Sequence, residues 1–272
     1  MRSFILMLLV GVGIQAQWLN NRDSGIPRTK DGKPNLSAPA PRASNGKPDL
    51  SGVWQGEGAP ISELMKILPG GANGLGEDRP PITFLNVLHG SKPEEDPLRP
   101  ELRTAYQRRA AGALTTPPPA LCPPPPMPFA LSFPSPFKIV QTPKLTLMLF
   151  ETDTFFRQIF TDGRKLPEDP QPSWLGYSVG KWQGDSLVVE TVGLIPFAPL
   201  DMFGHPHSEA LRVTEQFQRR DFGHMDVQVT IDDPNAYTKP FTYKIPMYLL
   251  PDTDLLESFC TEDEKDAAHM KR

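Results

Sequence analysis

Eight short segments rich in Val, Ile, Thr, Phe and Tyr follow one another after Pro136, and turn residues separate most of them. They are FKIVQT, LTLMLFE, FFRQIFTD, GYSVGKW, SLVVETV, LRVTEQFQ, MDVQVTID and FTYKIPM. Runs of β-branched and aromatic residues between turn signals are typical of strands. Because no helical segment lies between these strands, the pattern predicts a mainly β fold, an antiparallel barrel or sandwich.

The segment WQGDSL is the clearest hairpin of this region. Gly184 supplies the positive φ that the first central position of a type II′ turn requires. This turn predicts that Trp182 lies opposite Leu187 on the neighbouring strand.

Residues 51–272 are predicted to form one domain, which begins at SGVWQG with Trp54 as its anchor. Residues 59–116 contain ISELMKIL and PELRTAYQRRAAGAL, whose apolar spacing predicts a small helical insertion. Residues 117–128 are rich in proline and predict an extended connector. The segment from Glu257 to Met270 predicts a C-terminal helix.

Residues 1–16 have the pattern of a signal peptide. Arg2 precedes an apolar run from Phe4 to Ile14, and Ala16 is a small residue at the expected cleavage site. The run is too short for a permanent membrane span, which needs about 20 apolar residues. No cysteine follows it to carry a lipid. The sequence therefore predicts a secreted or periplasmic protein with no membrane anchor after cleavage.

Residues 17–50 contain a near-repeat, PRTKDGKPNLS from Pro27 and PRASNGKPDLS from Pro41. A stretch of this composition buries too little apolar surface of its own to become ordered. We therefore predict an extended, disordered N-terminal arm.

Charge and cysteine content narrow the classes of function. The net charge of −4 becomes −5 when the segment containing Arg2 is removed. This acidic balance argues against nucleic acid and anionic membranes as partners, because both require basic patches. Cys122 and Cys260 are the two cysteines, and in an oxidising compartment an even number predicts a disulfide. Two separately buried thiols are the alternative.

The stretch MFGHPHSEAL places His205 and His207 one proline apart. In an extended segment residues two apart face the same side, so both rings could bind one metal ion if a third ligand were near. His224 is not expected to supply that ligand. A hairpin that turns at residues 220–223 carries His224 to one end of the sheet and His207 to the other.

The same register brings Asp232 and Asp233 to the histidine end. A carboxylate beside His207 would fix its tautomer and raise its pKa, so His207 with Asp232 or Glu209 is a candidate acid–base group. A turn whose histidines bond to the backbone and cap the barrel is the structural alternative. The candidate ligand-binding residues are His205, Ser208, Asp233, Tyr237, Phe203, Trp174 and Trp182. The tryptophans fit a core position as well as a ligand contact.

Several motifs occur together in the chain. They are DGR from Asp162, the pattern WxGxSxGxWxGDxLVVET from Trp174, GHPHS from Gly204 and DDPNAYTKP from Asp232. This combination resembles a family of exported bacterial proteins that often begin with an arm like GKPDLSGVW, here from Gly46. The resemblance covers most of the mature chain and implies export and a shared fold, but it implies no mechanism.

Two classes of function follow from these observations. One is an exported barrel that binds a small molecule at a loop-lined mouth containing His205 and His207. The other is an exported hydrolase or lyase that uses His207 with an acidic partner. A structural role is the third, if the barrel is packed solid. No cofactor is predicted, because no phosphate loop, nucleotide fingerprint, nucleophile elbow or cysteine-rich zinc spacing is present, while a metal ion at the histidine pair, assisting such an enzyme, stays open.

Overall fold

The computed structural model describes residues 21–68, 79–112 and 124–259, and nine strands in these ranges close into a barrel. The strands are Gly52–Gly56 (β1), Phe137–Gln141 (β2), Leu145–Phe150 (β3), Phe156–Phe160 (β4), Tyr177–Gln183 (β5), Ser186–Val192 (β6), Arg212–Arg219 (β7), His224–Asp232 (β8) and Phe241–Leu249 (β9). The helices are Ile61–Ile67 (α1), Ile82–Leu85 (α2), Pro100–Gly112 (α3) and Phe129–Ser132 (α4). The predicted mainly β barrel is confirmed, and the eight predicted strands are β2 to β9.

Strand β1 closes the barrel because it pairs with both β2 and β9. Trp54 lies opposite Phe137 on one side and opposite Leu249 on the other. Its side chain is fully buried, and its indole N–H donates to the Leu50 carbonyl at 2.9 Å. Trp54 is therefore the anchor at the entrance to the domain that the sequence predicts.

The predicted hairpin between β5 and β6 is confirmed. Trp182 lies opposite Leu187, and Gly184 has a φ of 59°. A side chain at this position would be strained, because residues other than glycine rarely adopt positive φ.

The barrel is antiparallel except at the seam between β4 and β5, which run parallel and pair only at Ile159 with Ser178 and at Phe160 with Val179. A parallel neighbour requires the chain to cross back along the barrel. Residues 161–176 make this crossing, and three prolines lie near its middle, in PEDPQP at residues 167–172. Because proline has no N–H to donate, this stretch is poorly suited to extend the ladder along β4. Among the described residues, the first three residues of β4, Phe156 to Gln158, therefore have no partner strand on the side of β5.

A buried ion pair inside the barrel spans this seam. Arg157 on β4 and Glu215 on β7 are at most 1% exposed and pair side chain to side chain, with Nη1 donating to Oε1 at 3.0 Å. The guanidinium also donates to Ser178 Oγ on β5 at 3.0 Å and to Thr191 Oγ1 on β6 at 2.8 Å. A contact of 3.7 Å to the Met148 sulfur engages the remaining N–H. Side-chain bonds thus join the strands where backbone bonds are few.

We expect removal of either charge to destabilise the barrel strongly. Arg157→Met or Glu215→Leu alone should lower the free energy of unfolding by about 3–5 kcal/mol, because each leaves an uncompensated buried charge. The double variant should lose clearly less than the sum of the two. Urea unfolding of all four proteins measures this coupling, and strictly additive losses would contradict it.

Residues 21–50 are extended, as predicted, and their two repeats form the same turn. In the first, the Thr29 and Asn35 N–H groups donate to the carbonyls of Lys33 and Pro27, and the equivalent bonds recur fourteen positions later. Gly32 and Gly46 occupy the same place with φ of 81° and 77°. The sequence repeat is therefore a structural repeat.

Disorder is the part of the arm prediction that is wrong for residues 21–50. Arg28 pairs with Asp252 beyond β9, and Arg42 pairs with Asp185 in the β5–β6 turn at 2.8 Å. Leu50 is 1% exposed against the barrel core. The arm buries little surface against itself, but the end of the barrel supplies the apolar surface and the charged partners that composition alone does not reveal.

The predicted helical insertion is present as α1, α2 and α3, and a small second core of Leu64, Leu85 and Phe203 joins it to the barrel. Residues 257–259 are not helical, because Ser258 forms a parallel bridge with Thr152. The rest of the predicted C-terminal helix, the signal peptide and most of the proline-rich connector lie outside the described residues. Both cysteines lie there too, so the Cys122–Cys260 disulfide stays a prediction.

Candidate functional site

The hairpin register that relates the histidines is confirmed. Arg212 lies opposite Asp232, and His224 begins β8 at the other end, opposite Tyr248. The loop between β6 and β7 folds over the first end and carries His205 and His207. Both histidines are buried there, with 1% and 6% of their surface exposed. The register thus places both histidines at one end of the barrel, but their side chains are buried within the loop that covers this end and do not line an open mouth.

His205 is held by Asp201, a residue that the sequence analysis missed. The fully buried Asp201 carboxylate contacts His205 Nδ1 at 2.5 Å and accepts the N–H groups of Gly204, His205 and Val87 at 2.8 to 3.1 Å. The Tyr106 ring from α3 lies 4.1 Å from the His205 ring, centroid to centroid. Asp201 therefore ties the loop to the helical insertion. Its position four residues before His205 was a readable signal, whereas nothing in the sequence linked Tyr106 to this loop.

Asp233 is the acidic residue that reaches the histidine loop. It accepts Ser208 N–H at 2.5 Å and Ser208 Oγ–H at 2.8 Å, and it also accepts the N–H groups of Asn235 and Ala236. The Tyr237 hydroxyl donates to the Pro206 carbonyl at 2.8 Å. These contacts brace the loop on the segment after β8.

His207 lies between these two braces. Its Nδ1 donates to the Ser208 carbonyl at 3.1 Å, and its buried Nε2 has no hydrogen-bond partner among the described residues. Burial lowers the pKa of His207, while the nearby Asp233 charge opposes that shift. The neutral ring is therefore favoured, and its contacts stabilise the loop.

The other predicted site residues lie apart from this cluster. Asp232 and Glu209 are exposed. Trp182 lies at the opposite end, beside the β5–β6 turn, and Phe203 packs in the second core. Within the described ranges, no group of three His, Cys, Asp or Glu side chains is arranged to hold a metal ion. Trp174 belongs to a different feature, the cleft described next.

A cleft of about 410 Å³ opens outside the β4–β5 seam. Five of its twelve lining residues are aromatic, namely Phe155, Phe156, Phe160, Trp174 and Tyr177. Gln158 and Ser173 also line the cleft, as do Arg157 and Ser178, whose side chains are buried and bonded to each other inside the barrel. Phe160 stacks on Tyr177 at 5.2 Å, and Trp174 meets the Phe197 ring edge-on at 5.5 Å. The side chains are thus held in place, yet Phe156 remains 57% exposed and Phe197 71% exposed.

Comparison with known proteins finds no matching family model and no matching curated protein. None of the helices in the described ranges has the length and apolar character to cross a membrane.

We expect His207 to make stability depend on pH. Because burial lowers its pKa in the folded protein, the unfolded chain takes up the proton first as the pH falls. The contribution is complete above the unfolded pKa of about 6.5 and is lost progressively below it. His207→Gln should therefore lose less stability than the parent between about pH 7 and pH 5.

Thermal unfolding across this range measures the effect. His224→Gln, at the opposite end of the barrel, where the ring contacts Asp221 and the side chain is 38% exposed, is the control for the loss of a histidine as such, and the effect of His207→Gln is compared with it. An unchanged slope in His207→Gln would show that another group carries the dependence.

Proposed function

We propose that this protein is an exported β-barrel that binds a small, largely apolar molecule in the cleft between β4 and β5. The observation that carries the proposal is the aromatic cleft at the one parallel pairing of the barrel. Aromatic walls with a few polar groups are the usual composition of small-molecule sites, and volumes of about 300–1,000 Å³ are typical. The cleft has both properties.

The proposal moves the binding site away from the histidine loop. His205 and His207 are buried and engaged by the loop itself, whereas Trp174 and Phe156 face the cleft. The five N–H groups of Arg157 are engaged within the barrel, so its charge is not free to bind an anion. Orientation of a ligand then depends on Gln158 and Ser173 at the rim, and affinity depends on the aromatic rings.

Binding of anilinonaphthalene sulfonate, which becomes fluorescent at apolar sites, tests this proposal. We expect one saturable site in the parent and an affinity at least about tenfold lower in Phe156→Asp, because a charge replaces an apolar wall. Ile61→Asp on α1 is the matched control, since Ile61 is 50% exposed and does not line the cleft. Equal binding by both variants would refute the location, and no saturable binding by the folded parent would refute the function.

Export rests on the signal-peptide pattern of residues 1–16 and on the resemblance to exported bacterial proteins. We expect cleavage after Ala16. N-terminal sequencing of the protein recovered outside the cytoplasm should begin at Gln17, and a cytoplasmic protein that retains Met1 would contradict export.

A further inference from the structure

The outer face of β3 is apolar, which is unusual for the side of a barrel strand that faces away from the core. Thr146, Met148 and Phe150 are buried, so the alternation of a strand turns Leu145, Leu147 and Leu149 outward. Their cross-strand neighbours on the same face include Val140, Phe156 and Phe160. In contrast, the outward positions of β8 hold Asp226, Gln228 and Thr230.

A groove of about 940 Å³ lies at the Leu149 end of this face, between β3 and the chain segment after β9. Leu149 lies on one wall, and Leu255 and Leu256 lie on the other. Phe155 and Phe156 line both this groove and the aromatic cleft. The two cavities therefore meet at these rings and can hold one elongated molecule.

Charged groups lie at the end of the groove that is farthest from the seam. Lys138 on β2 lies opposite Leu149, which in turn lies opposite Phe156 on β4. Lys138 forms an exposed ion pair of 3.6 Å with Asp254, and Glu257 also lines the groove, so Lys138 is the one basic residue among the described residues that line it. Because neighbouring strands are about 4.8 Å apart, the path from Lys138 over Leu149 and Phe156 to the cleft is about 15 Å long.

We propose that the ligand is a single-chain amphiphile such as a fatty acid, with its hydrocarbon chain across the cleft and the groove and its anionic head at Lys138. This inference rests on the proposed function, because it takes the cleft as one half of the site. A hydrocarbon chain needs no hydrogen-bond partners, whereas the amides of a bound peptide would be left unsatisfied along Leu149, Phe156 and Leu256. An exposed ion pair is weak, so a ligand carboxylate can replace Asp254 beside Lys138.

Calorimetric titration with octanoate, decanoate, dodecanoate and hexadecanoate, each below its micelle concentration, tests the chain. We expect affinity to rise about two- to fourfold per methylene as more of the chain is buried, and then to level off when the chain exceeds the path. Leu149→Asp should weaken the binding of all four chains, because every chain with its head at Lys138 crosses the position of Leu149. Gln228→Asp, on the polar outer face of β8, should behave as the parent. Replacing dodecanoate by its methyl ester should weaken binding if Lys138 receives the head.

The outcomes separate this inference from the proposed function. Equal affinity for all chain lengths, with anilinonaphthalene sulfonate binding weakened by Trp174→Ala, would overturn the amphiphile and leave the cleft as a small-molecule site, because Trp174 lines the cleft and not the groove. If affinity does not depend on chain length and the parent shows no saturable binding of anilinonaphthalene sulfonate, both the amphiphile and the proposed function are overturned. Sedimentation that shows a dimer in the parent and a monomer in Leu149→Asp would assign the apolar face to a second copy of the chain and would also overturn the amphiphile.

Discussion

The Arg157–Glu215 ion pair is the interaction on which the shape of this barrel depends. Strand β4 shares only two paired positions with β5, so backbone bonds are fewest at this seam. The Arg157 guanidinium reaches β5, β6 and β7 through Ser178, Thr191 and Glu215 and joins the two sides from within. A charge in the core is expensive unless every donor and acceptor is engaged, and here the five N–H groups are. The bonds of Arg157 in the core therefore hold β4 and β5 together although few backbone hydrogen bonds join these strands.

Both ends of the barrel are covered by the chain itself. The repeated arm covers one end, where Arg219 lies 4.9 Å from the Trp54 ring. The histidine loop covers the other and is braced by Asp201 and Asp233. Acidic side chains that accept several N–H groups can hold such a loop in place, because the backbone N–H groups of an irregular loop have no partner strand to bond to. With both ends covered, the side of the barrel becomes the surface where a ligand can reach aromatic side chains.

The parts of the fold that repeat regularly could be predicted. Runs of β-branched and aromatic residues between turn signals located β2 to β9, and the turn residues between β7 and β8 set a register that correctly separated His224 from His207. The same reasoning could not choose between Asp232 and Asp233, because Asp233 lies beyond the end of β8, where the alternation of a strand no longer fixes the side that a residue faces. It also misjudged the openness of the histidine end, because burial by a loop depends on contacts with distant segments such as Val87 and Tyr106.

The sequence by itself determined the strand content, the hairpin registers and the repeated turns of the arm, since each depends on neighbouring residues and on local backbone preferences. Tertiary structure alone decided which strands close the barrel, that β4 and β5 run parallel, and that Phe156 and Trp174 line one cleft. It also decided that the arm is ordered, because the carboxylates of Asp185 and Asp252 that hold it come from turns far along the chain. Contacts between residues more than a hundred positions apart, such as those of Arg28 with Asp252 and Arg42 with Asp185, leave no periodic trace in the sequence.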